Sequence, residues 1–498
     1  MSKFVVFKTV DDMPELPVSS SAMSWNRTGT WGSSTPKQSG KAAPCSFNCP
    51  AGEDIRGYLT HIKNKQFPKA FTLLTEANPF PAVCGRVCYH PCQVNCNRQS
   101  FDSEVQIRLV EKTIGDWGVS NDQSDVLPEL GPHRVAIVGA GPAGLSAAYY
   151  LRRKGIGVVL YDENVRPGGI LYYGIPSYRL DNLVLSKETD RALQGVEFQG
   201  SCRLGIDISI DDLMDYDAVF LAIGAHRSIR LSIPGDDLPG VEPGLSLLKR
   251  INAGESVELT DKRVVVVGGG NTACDVARAA WREGASVKMI YRRTQAEMPA
   301  FAEEIEQLKS EPVELEFLCT PERIEPASDG RLTVRCIRMK QGELDDSGRA
   351  RSIPIDGSQF TIDADAVLSA IGEETDLTGI SGLQHDGEGG VDLSQMTSEL
   401  RDKLFLGGDM LPNPRTVPHA VGSGRLAAQR IESFLNGHTF AARQDIVEVA
   451  GPNDINTAYF SKVNRYLPDD LHKPEEATLS IEQAAAEAGR CFSCGICF

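Results

Sequence analysis

RVAIVGAGPAGLSAAYYLRRKGIGVVLYD, residues 134–162, has the pattern of a strand, a glycine-rich turn, a helix and a second strand. Gly139 permits a tight turn, Gly141 lets the backbone approach a pyrophosphate, and Gly144 lets the helix pack closely on the strand. The pyrophosphate would lie at the helix N-terminus, where backbone N–H groups are free. Asp162 ends the second strand, and its carboxylate can accept hydrogen bonds from a ribose. This unit predicts a Rossmann-like dinucleotide-binding fold.

A second unit of the same kind follows at residues 262–291, with RVVVV, GGGNTA, a helical segment and SVKMIY. Its first glycine is followed 24 positions later by Arg292 and then by Arg293, whereas the first unit has Asp162 after 23 positions. A carboxylate suits a free ribose 2′-hydroxyl, and an arginine suits a 2′-phosphate. The first unit therefore fits FAD, and the second fits NADP(H) at least as well as NAD(H). The alternative interpretation is that both arginines are solvent-exposed surface residues that bind no phosphate. The expected turn contacts are Gly268, Gly270 and Asn271.

A third nucleotide signal is LFLGGD, residues 404–409. A strand that ends in Gly-Gly-Asp can place Gly408 and Asp409 beside the ribityl chain of a flavin. A helix predicted from about Val421 to Phe434 would direct its positive end at the flavin pyrimidine ring. Three such motifs in this order are a much stronger indication of a flavoprotein than any one of them.

Thirteen cysteines are unevenly distributed along the chain. Six lie between residues 45 and 96, three are among the last eight residues, and Cys202, Cys274, Cys319 and Cys336 are scattered singly. Clustered cysteines in a reducing compartment indicate metal or iron–sulfur ligands rather than disulfides. Zinc is the alternative for the N-terminal group. The scattered four are expected to be small buried side chains.

Composition excludes several classes of protein. A chain of 498 residues is expected to form about three domains. Its net charge of −16 argues against nucleic-acid binding and suits a basic protein partner. No apolar run approaches the ~20 residues of a membrane helix, and the N-terminus lacks the features of a secretory signal. The sequence therefore predicts a cytoplasmic protein with no membrane span.

The ordered motifs GAGPAG, PGGILYYGIP, LAIGA, GGGNTA, IYRR with EMPA, AIG and LGGD resemble the glutamate synthase small-subunit family. This family of NAD(P)H-dependent iron–sulfur flavoproteins includes the N-terminal half of dihydropyrimidine dehydrogenase and the larger subunit of NADH-dependent ferredoxin:NADP oxidoreductase. The resemblance covers roughly residues 44–436. It implies an α/β fold, with two Rossmann-like domains for FAD and NAD(P) preceded by a small helical iron–sulfur domain. It also places Gly169, in PGGIL, among the FAD contacts.

The same resemblance implies an NAD(P)H:acceptor oxidoreductase. Hydride would pass from NAD(P)H to FAD, and single electrons would then pass through 4Fe–4S clusters to a partner protein. This chemistry requires no side-chain acid, base or nucleophile, so no catalytic residue is expected. The chain has no C-x-x-C between residues 97 and 490, which argues against a disulfide reductase.

The resemblance also assigns one cluster. Relatives place the residues matching Cys49, Cys88 and Cys92 on a 4Fe–4S cluster, and a Glu or Gln on the following helix completes it. Glu111 matches that position. Cys84 matches a cysteine that is not a ligand in relatives.

A second cluster is incomplete in this pattern. Relatives use residues matching Cys45 and Cys96 together with a C-x-x-C pair just upstream of Cys45, but residues 39–44 are SGKAAP. Either this cluster is absent, or its missing ligands come from elsewhere. We expect Cys491 and Cys494 of the C-terminal RCFSCGICF to replace the pair. The alternative is that this motif begins a truncated ferredoxin-like module. The chain is thus expected to carry one or two 4Fe–4S clusters.

Several functional alternatives remain at this point. The opening PCSFNCPAG resembles the branch that serves dissimilatory sulfite reductase, which makes that enzyme a candidate partner. A glutamate synthase small subunit, an electron-bifurcating subunit and a non-catalytic redox sensor are the alternatives. A homodimer is one option for the oligomeric state. The predicted domains are an arm with the helical 4Fe–4S domain (1–128), the FAD domain in two parts (129–255 and 375–440), the NAD(P)H domain (256–374) and a cysteine-containing tail (441–498).

Overall fold

The computed structural model describes residues 9, 41–121, 126–344, 348–387, 390–394, 396, 398–412, 414–440, 448–466 and 477–495. Most of the predicted N-terminal arm and Cys497 lie outside these residues.

The segment from residue 41 to residue 121 is helical. Its helices are α1 (Pro44–Phe47), α2 (Ile55–Lys63), α3 (Phe67–Thr75), α4 (Pro81–Val87), α5 (Pro91–Val94) and α6 (Ile107–Ser120). Helices α2 and α3 are separated by only three residues. Lys65 adopts a left-handed φ of 56° between them, and a proline occupies the first turn of α3. A proline fits there because the first turn has no intrahelical partner for its N–H.

Strands and helices alternate from residue 134. The elements up to residue 221 are β1 (Arg134–Val138), α7 (Pro142–Arg153), β2 (Gly157–Tyr161), α8 (Ile170–Tyr173), α9 (Asn182–Ala192), β3 (Glu197–Gln199) and β4 (Ala218–Leu221). The next elements are β5 (Arg227–Ser228), β6 (Val241–Pro243), α10 (Gly244–Asn252), β7 (Arg263–Val267), α11 (Asn271–Arg282), β8 (Ser286–Tyr291), α12 (Ala302–Ser310) and β9 (Glu314–Phe317).

Strands dominate the following part. They are β10 (Cys319–Pro326), β11 (Leu332–Leu344), β12 (Ala350–Pro354), β13 (Phe360–Ala364), β14 (Ala366–Ser369) and β15 (Glu373–Glu374). The remaining elements are β16 (Gln384–His385), β17 (Val391–Asp392), α13 (Ser398–Lys403), β18 (Leu404–Leu406), α14 (Val417–Leu435) and α15 (Ile481–Ala488).

Two parallel sheets organise the nucleotide-binding part. The first has the order β18-β4-β1-β2-β3, and the second has the order β6-β14-β7-β8-β9. Since β18 follows the second sheet in sequence, the chain leaves the first sheet and returns to it. The short antiparallel pair β5–β15 joins the outgoing and returning segments. An antiparallel sheet of β10 to β13 packs beside the second sheet. The α/β fold with two Rossmann-like units and an N-terminal helical region is thus confirmed; the exact domain boundaries stay a prediction.

Helix α14 packs along α7, the helix of the first glycine-rich turn. A Cβ at Gly424 would lie 2.1 Å from the carbonyl oxygen of Ala143, so only glycine permits this approach. The helix begins at Val417, four residues before the expected start, with Pro418 in its first turn. The helix therefore extends further toward the nucleotide pocket than the sequence indicated.

The C-terminal segment returns to the helical region. Helix α15 packs against α2 and α6, and Ala484, Ala485 and Ala488 are buried in the same core as Ile55 and Ile114. Ser480 caps α15, because its hydroxyl accepts from the backbone N–H of Gln483 at 3.2 Å. Among the described residues, no helix is both long and apolar enough to span a bilayer.

Candidate functional site

The first glycine-rich turn forms one wall of a large pocket. Gly139 has φ +105°, and a Cβ there would lie 2.3 Å from the carbonyl oxygen of Ala222. A Cβ on Gly144 would lie 1.8 Å from the carbonyl oxygen of Gly139, so α7 packs directly on the turn. Helix α7 begins after Gly141 without a side-chain cap. Its first N–H groups are therefore available to an anionic ligand such as a pyrophosphate.

Asp162 supports this turn from the end of β2. Its Oδ2 accepts from the backbone N–H of Ala140 at 2.6 Å, and its Oδ1 accepts from the backbone and side-chain nitrogens of Asn164 at 2.8 and 2.9 Å. Asp162 also lines the pocket. A carboxylate has about four acceptor sites, so the same side chain can hold the turn and accept from a ribose.

A second glycine loop lies against the first. Gly168 donates its N–H to the carbonyl oxygen of Ala140 at 2.8 Å. A Cβ on Gly169, whose φ is +54°, would lie 2.7 Å from the Cα of Gly141. The two loops therefore meet backbone to backbone, and any side chain at Gly169 would separate them.

The returning segment closes the pocket at Gly408 and Asp409. The Gly408 N–H donates to the hydroxyl of Ser423 in α14 at 2.9 Å. Burial raises the pKa of Asp409 to about 6; Arg415 opposes this rise and Glu373 adds to it. A carboxyl group that titrates near neutrality can donate to a ligand oxygen when it is protonated and accept from a hydroxyl when it is ionised.

His226 also lines this pocket, and sequence reasoning did not single it out. Burial, together with the charge of Lys249, lowers the pKa of His226 to about 4. Its Nδ1 is buried without a hydrogen-bond partner among the described residues. The neutral ring can therefore offer a donor or an acceptor to a bound ligand. Its only sequence signal is its place directly after the LAIGA motif.

The second glycine-rich turn has the same construction. Gly268 has φ +152°, and a Cβ there would lie 2.2 Å from the carbonyl oxygen of Ala370. Gly270 precedes α11, which has no side-chain cap at its start. Asn271 has a structural partner, since its Oδ1 accepts from the backbone N–H of Phe301 at 2.9 Å. It fixes the segment that leads into α12 against the turn.

Arg292 and Arg293 follow β8 but have different surroundings. Arg292 is exposed, and its carbonyl oxygen accepts from the hydroxyl of Ser352 at 3.1 Å. Arg293 is buried, and its Nε donates to the carbonyl oxygen of Ala350 at 2.9 Å. The structure thus separates the predicted pair: Arg292 is available to a 2′-phosphate, whereas Arg293 ties β8 to β12.

The first set of predicted cluster ligands is brought together in the helical region. Burial raises the pKa of the Cys92 thiol well above its usual range, and the neighbouring Cys88, Cys49 and Glu111 raise it further. The backbone N–H of His90 donates to the Cys88 sulfur at 3.3 Å. Thiolates with one carboxylate are a donor set that suits an iron–sulfur cluster.

Glu53 lies beside the predicted ligand Glu111 and was not identified from the sequence. It and Glu111 are both buried, share a hydrogen bond, and accept from the same Asn78 amide at 2.8 and 3.2 Å. Burial raises the pKa of Glu53 to about 7 and that of Glu111 well above its usual range. Cys84 donates its thiol to the other side of Asn78 at 3.7 Å, which suits its expected role outside the ligand set.

The second set comprises Cys45, Cys96, Cys491 and Cys494, which line one small pocket between the helical region and the tail. All cysteines within the described residues are free thiols. Within those same residues, no group of three or more Cys, His, Asp or Glu side chains has the spacing needed to hold a single metal ion. A cubane differs from a single ion because each of its four ligands binds its own iron.

A buried ionic group joins the two nucleotide-binding units. Arg179, which lies between α8 and α9, donates to Asp275 in α11 at 2.6 and 2.7 Å and to Glu304 in α12 at 2.5 Å. These three side chains are about nine-tenths buried. They fix the second unit against the pocket of the first.

Two family models match this chain. The family described as pyridine nucleotide-disulphide oxidoreductase matches residues 133–424, and the family described as dihydropyrimidine dehydrogenase domain II, 4Fe-4S cluster, matches residues 38–123. The chain belongs to the pyridine nucleotide-disulphide oxidoreductase family. Its nucleotide-binding part carries the FAD and NAD(P)H sites of this family, and its helical region is a 4Fe–4S domain. The uncapped turns and the thiol and carboxyl donors described above fit these cofactors.

Two relatives of this chain show more specifically which proteins it resembles. The small chain of glutamate synthase [NADPH] from Escherichia coli (strain K12) is 34% identical over 420 residues, which cover 78% of this chain and 88% of that protein. The resemblance to the glutamate synthase small-subunit family is therefore confirmed. The beta subunit of NADP(+)-dependent formate dehydrogenase from Moorella thermoacetica is 37% identical over 461 residues, or 86% of this chain. This oxidoreductase spans 64% of the length of that subunit.

A solved structure supports the fold. FprA of Mycobacterium tuberculosis in complex with NADPH aligns with a TM-score of 0.54 and 20% identity, over 62% of this oxidoreductase and 85% of FprA. At 20% identity, this likeness concerns the fold alone.

Proposed function

We propose that this chain takes electrons from NADPH on FAD and delivers them singly, through 4Fe–4S clusters, to a partner protein. Bound FAD supplies the exchange between two-electron and one-electron transfer. The protein's own contribution is to bind, orient and connect the cofactor sites.

The observation that carries this proposal is the close contact between the first cysteine set and the flavin pocket. Pro50, which follows Cys49, meets α14 so closely that a Cβ on Gly422 would lie 2.1 Å from the Pro50 carbonyl oxygen. Val87, which precedes Cys88, lines a second pocket that adjoins the flavin pocket and shares Asp409 with it. Both segments that carry these predicted cysteine ligands therefore adjoin the flavin site.

An aromatic stack supports the same connection. The Tyr89 ring lies 4.9 Å from the Phe301 ring at an interplanar angle of 14°, and 6.2 Å from the His419 ring at 7°. Phe301 is held by Asn271 of the second glycine-rich turn, and His419 lies in the first turn of α14. The residue next to Cys88 is thus packed between the two nucleotide-binding units.

The partner is proposed by resemblance. Dissimilatory sulfite reductase is our first candidate, because PCSFNCPAG at residues 44–52 resembles the branch that serves it. A glutamate-forming partner is the second candidate, supported by the extended match to the glutamate synthase small chain.

The test is anaerobic reduction of the purified holoprotein by NADPH. Flavin absorbance should bleach, and a paramagnetic signal of reduced clusters should follow. In Cys88→Ser, the flavin should still be reduced while the signal of one cluster is lost. Reduction of the flavin without any electron reaching a cluster in the unmodified protein would contradict the proposal.

The two partner candidates are separated by adding each acceptor enzyme to the NADPH-reduced protein. Reoxidation of the clusters by sulfite reductase and not by a glutamate synthase large subunit would support the first candidate.

A further inference from the structure

We propose that Cys45, Cys96, Cys491 and Cys494 are the four ligands of one 4Fe–4S cluster, which the N-terminal domain and the C-terminal segment build together. This assignment does not depend on the proposed route or direction of electron transfer. The matched 4Fe–4S domain extends over residues 38–123 and does not include the two C-terminal cysteines.

The four thiols surround one pocket. Cys45, Cys96, Cys491 and Cys494 all line it, and Cys45 is buried. Apart from these sulfur atoms, the pocket wall is largely apolar, with Ala43, Pro44, Leu59, Val105 and Ile107. Four thiols converging in an apolar site are a suitable ligand set for a cubane.

The backbone around Cys491 and Cys494 has the geometry of a ligand loop. The N–H of Ser493 donates to the Cys491 sulfur at 3.3 Å, and the Asn97 amide donates to the Cys494 sulfur at 3.6 Å. Such donors stabilise negative charge on cluster sulfurs. Ser493 has φ 54° and Gly495 has φ 88°, so the loop is tightly turned around its two thiols.

The loop that carries Cys491 and Cys494 contacts the segment just upstream of Cys45, which lacks the C-x-x-C pair found in relatives. A Cβ on Gly495 would lie 2.0 Å from the carbonyl oxygen of Lys41, so glycine is required at this contact. Arg56 donates to the carbonyl oxygen of Cys494 at 3.1 Å. The C-terminal C-x-x-C thus lies beside Lys41, within the stretch just upstream of Cys45 in which the resemblance places the relatives' own pair.

Buried charged side chains hold the segment in this position. Arg490 donates to Glu487 at 2.6 Å and to the carbonyl oxygens of Ser103 and Glu104 at 2.8 and 3.0 Å. Glu487 accepts from the backbone N–H of Gln106 at 2.9 Å. Arg490 and Glu487 are only 4% and 1% exposed. If the segment detached, Arg490 would lose the carbonyl oxygens of Ser103 and Glu104, and Glu487 would lose the N–H of Gln106.

Additional contacts extend this attachment along the tail. Lys112 donates to the carbonyl oxygen of Ala477 at 2.6 Å, and Arg98 donates to the carbonyl oxygens of Arg490 and Ser461. The Phe492 side chain lies between Cys491 and Cys494 in sequence and packs against Phe101 and Phe460. The placement of the two thiols therefore does not rest on the loop alone.

The test compares iron content among cysteine variants of the holoprotein. The variants are C491S with C494S, C45S with C96S, and all four together. Cys84→Ser is the matched control, because Cys84 lies in the same domain and a serine hydroxyl can still donate to Asn78. Iron, zinc and FAD per chain, the spectrum of the dithionite-reduced protein and the unfolding temperature are measured for each.

We expect each double variant to lose about four irons per chain and the quadruple variant to lose no more than either double variant. FAD content should be unchanged in all of them, and the control should keep all its iron. The same paramagnetic signal should vanish from both double variants, while the signal of the other cluster remains.

Three results would overturn the assignment. Unchanged iron in the C-terminal double variant would mean that Cys491 and Cys494 bind nothing. A quadruple variant that loses twice the iron of either double would place the pairs on separate clusters. Zinc in place of the lost iron would identify a different metal.

Single C491S provides a check if a double variant fails to fold. An altered but retained cluster spectrum supports the assignment, and an unaltered one contradicts it.

Discussion

Arg292 and Arg293 adjoin in sequence, but only one of them is directed to solvent. Alternation along an extended segment places consecutive side chains on opposite faces. Arg293 is consequently turned into the protein toward the carbonyl oxygen of Ala350, and Arg292 is turned outward. Sequence alone could indicate a 2′-phosphate site here, but it could not distinguish the two arginines without the position of β12.

Arg292→Ala should raise the KM for NADPH at least tenfold and leave the KM for NADH nearly unchanged. A charge-assisted hydrogen bond to a phosphate is worth roughly 1.5–3 kcal/mol, and about 1.4 kcal/mol corresponds to a factor of ten. Steady-state dye reduction with each nucleotide measures the effect. Arg293→Ala is the neighbouring control: it should lower the unfolding temperature without a selective effect on NADPH. Equal KM changes for both nucleotides in Arg292→Ala would contradict this role.

Asp162→Ala should weaken FAD binding by roughly tenfold to a hundredfold, because a buried hydrogen-bond partner of the turn is lost at a cost of about 1–3 kcal/mol. The backbone N–H of Ala140 would lose its acceptor at 2.6 Å. FAD retention after dialysis and equilibrium titration of the apoprotein measure this loss. Asn164→Ala keeps the carboxylate and should retain FAD nearly as well as the unmodified protein.

Several residues of the site were beyond prediction from sequence. Glu53 is one carboxylate among many in a chain with 67 acidic residues, and only the folded structure brings it and Glu111 to the same Asn78 amide. His226 has no periodicity or motif that assigns it a role. The glycine-rich turns were predictable because their chemistry depends on local spacing, whereas these two residues depend on contacts between distant elements.

Helix α4 is capped by a residue from another domain. Glu188 of α9 accepts from the backbone N–H groups of Ala82 and Val83 at 2.9 Å each. The start of α4 has no side-chain cap of its own. This carboxyl group, only 1% exposed, thereby joins the iron–sulfur domain to the flavin domain at a helix N-terminus.

The stability of the protein should depend on pH through Glu188. Burial raises the pKa of Glu188 to about 7, so between pH 4.5 and 7 the folded state binds a proton that the unfolded state has released. The contribution of Glu188 to the free energy of unfolding is therefore fully present below about pH 4.5. It is lost as the pH rises through 7, and the total loss is at most about 3 kcal/mol. Unfolding temperatures of the unmodified protein and of Glu188→Gln, compared from pH 4.5 to 8, measure the effect.

The unmodified protein should lose stability relative to Glu188→Gln as pH rises, since the amide does not titrate. A constant difference across this pH range would show that Glu188 keeps one protonation state throughout. Ser186→Ala, on the exposed side of the same helix, serves as a neutral control.

Element positions were predictable to different degrees. The strands and helices of both glycine-rich units follow from their hydrophobic pattern. The division between α2 and α3 was less visible, because a lysine in a left-handed conformation has no sequence signature. The pairs β5–β15 and β16–β17 have only two residues per strand and depend wholly on the surrounding structure.

At the scale of the whole molecule, the ionic group of Arg179, Asp275 and Glu304 holds the two nucleotide-binding units in one arrangement. Arg278 lies close to the same carboxylates, with its Nη1 3.7 Å from Glu304. These charged residues come from three separate parts of the chain, so the sequence alone could not predict that they form one buried ionic group.

Arg179→Met should destabilise the protein by about 3–5 kcal/mol, because it leaves two buried carboxylates without their main partner. It should also slow flavin reduction by NADPH, since the second unit would be less firmly held against the first. Thermal unfolding and rapid-mixing absorbance measure the two effects.

A triple variant, Arg179→Met with Asp275→Leu and Glu304→Met, should recover much of the lost stability because no buried carboxylate of this group remains. Failure of the triple variant to recover would show that the arginine acts through packing rather than through charge. Arg282→Met, at the exposed edge of α11, should change neither property appreciably.

The parallel bridge between Ala42 and Val449, with α15 buried against α2 and α6, has a consequence for biosynthesis. A nascent chain presents residues 41–121 to the cell long before residues 477–495 have been translated. At about 5–20 residues per second, the delay is roughly 20–75 s. Throughout that interval, the helical iron–sulfur domain lacks part of its own core. Its maturation is consequently a late event, and a prematurely terminated product would expose that unfilled core to proteases and chaperones.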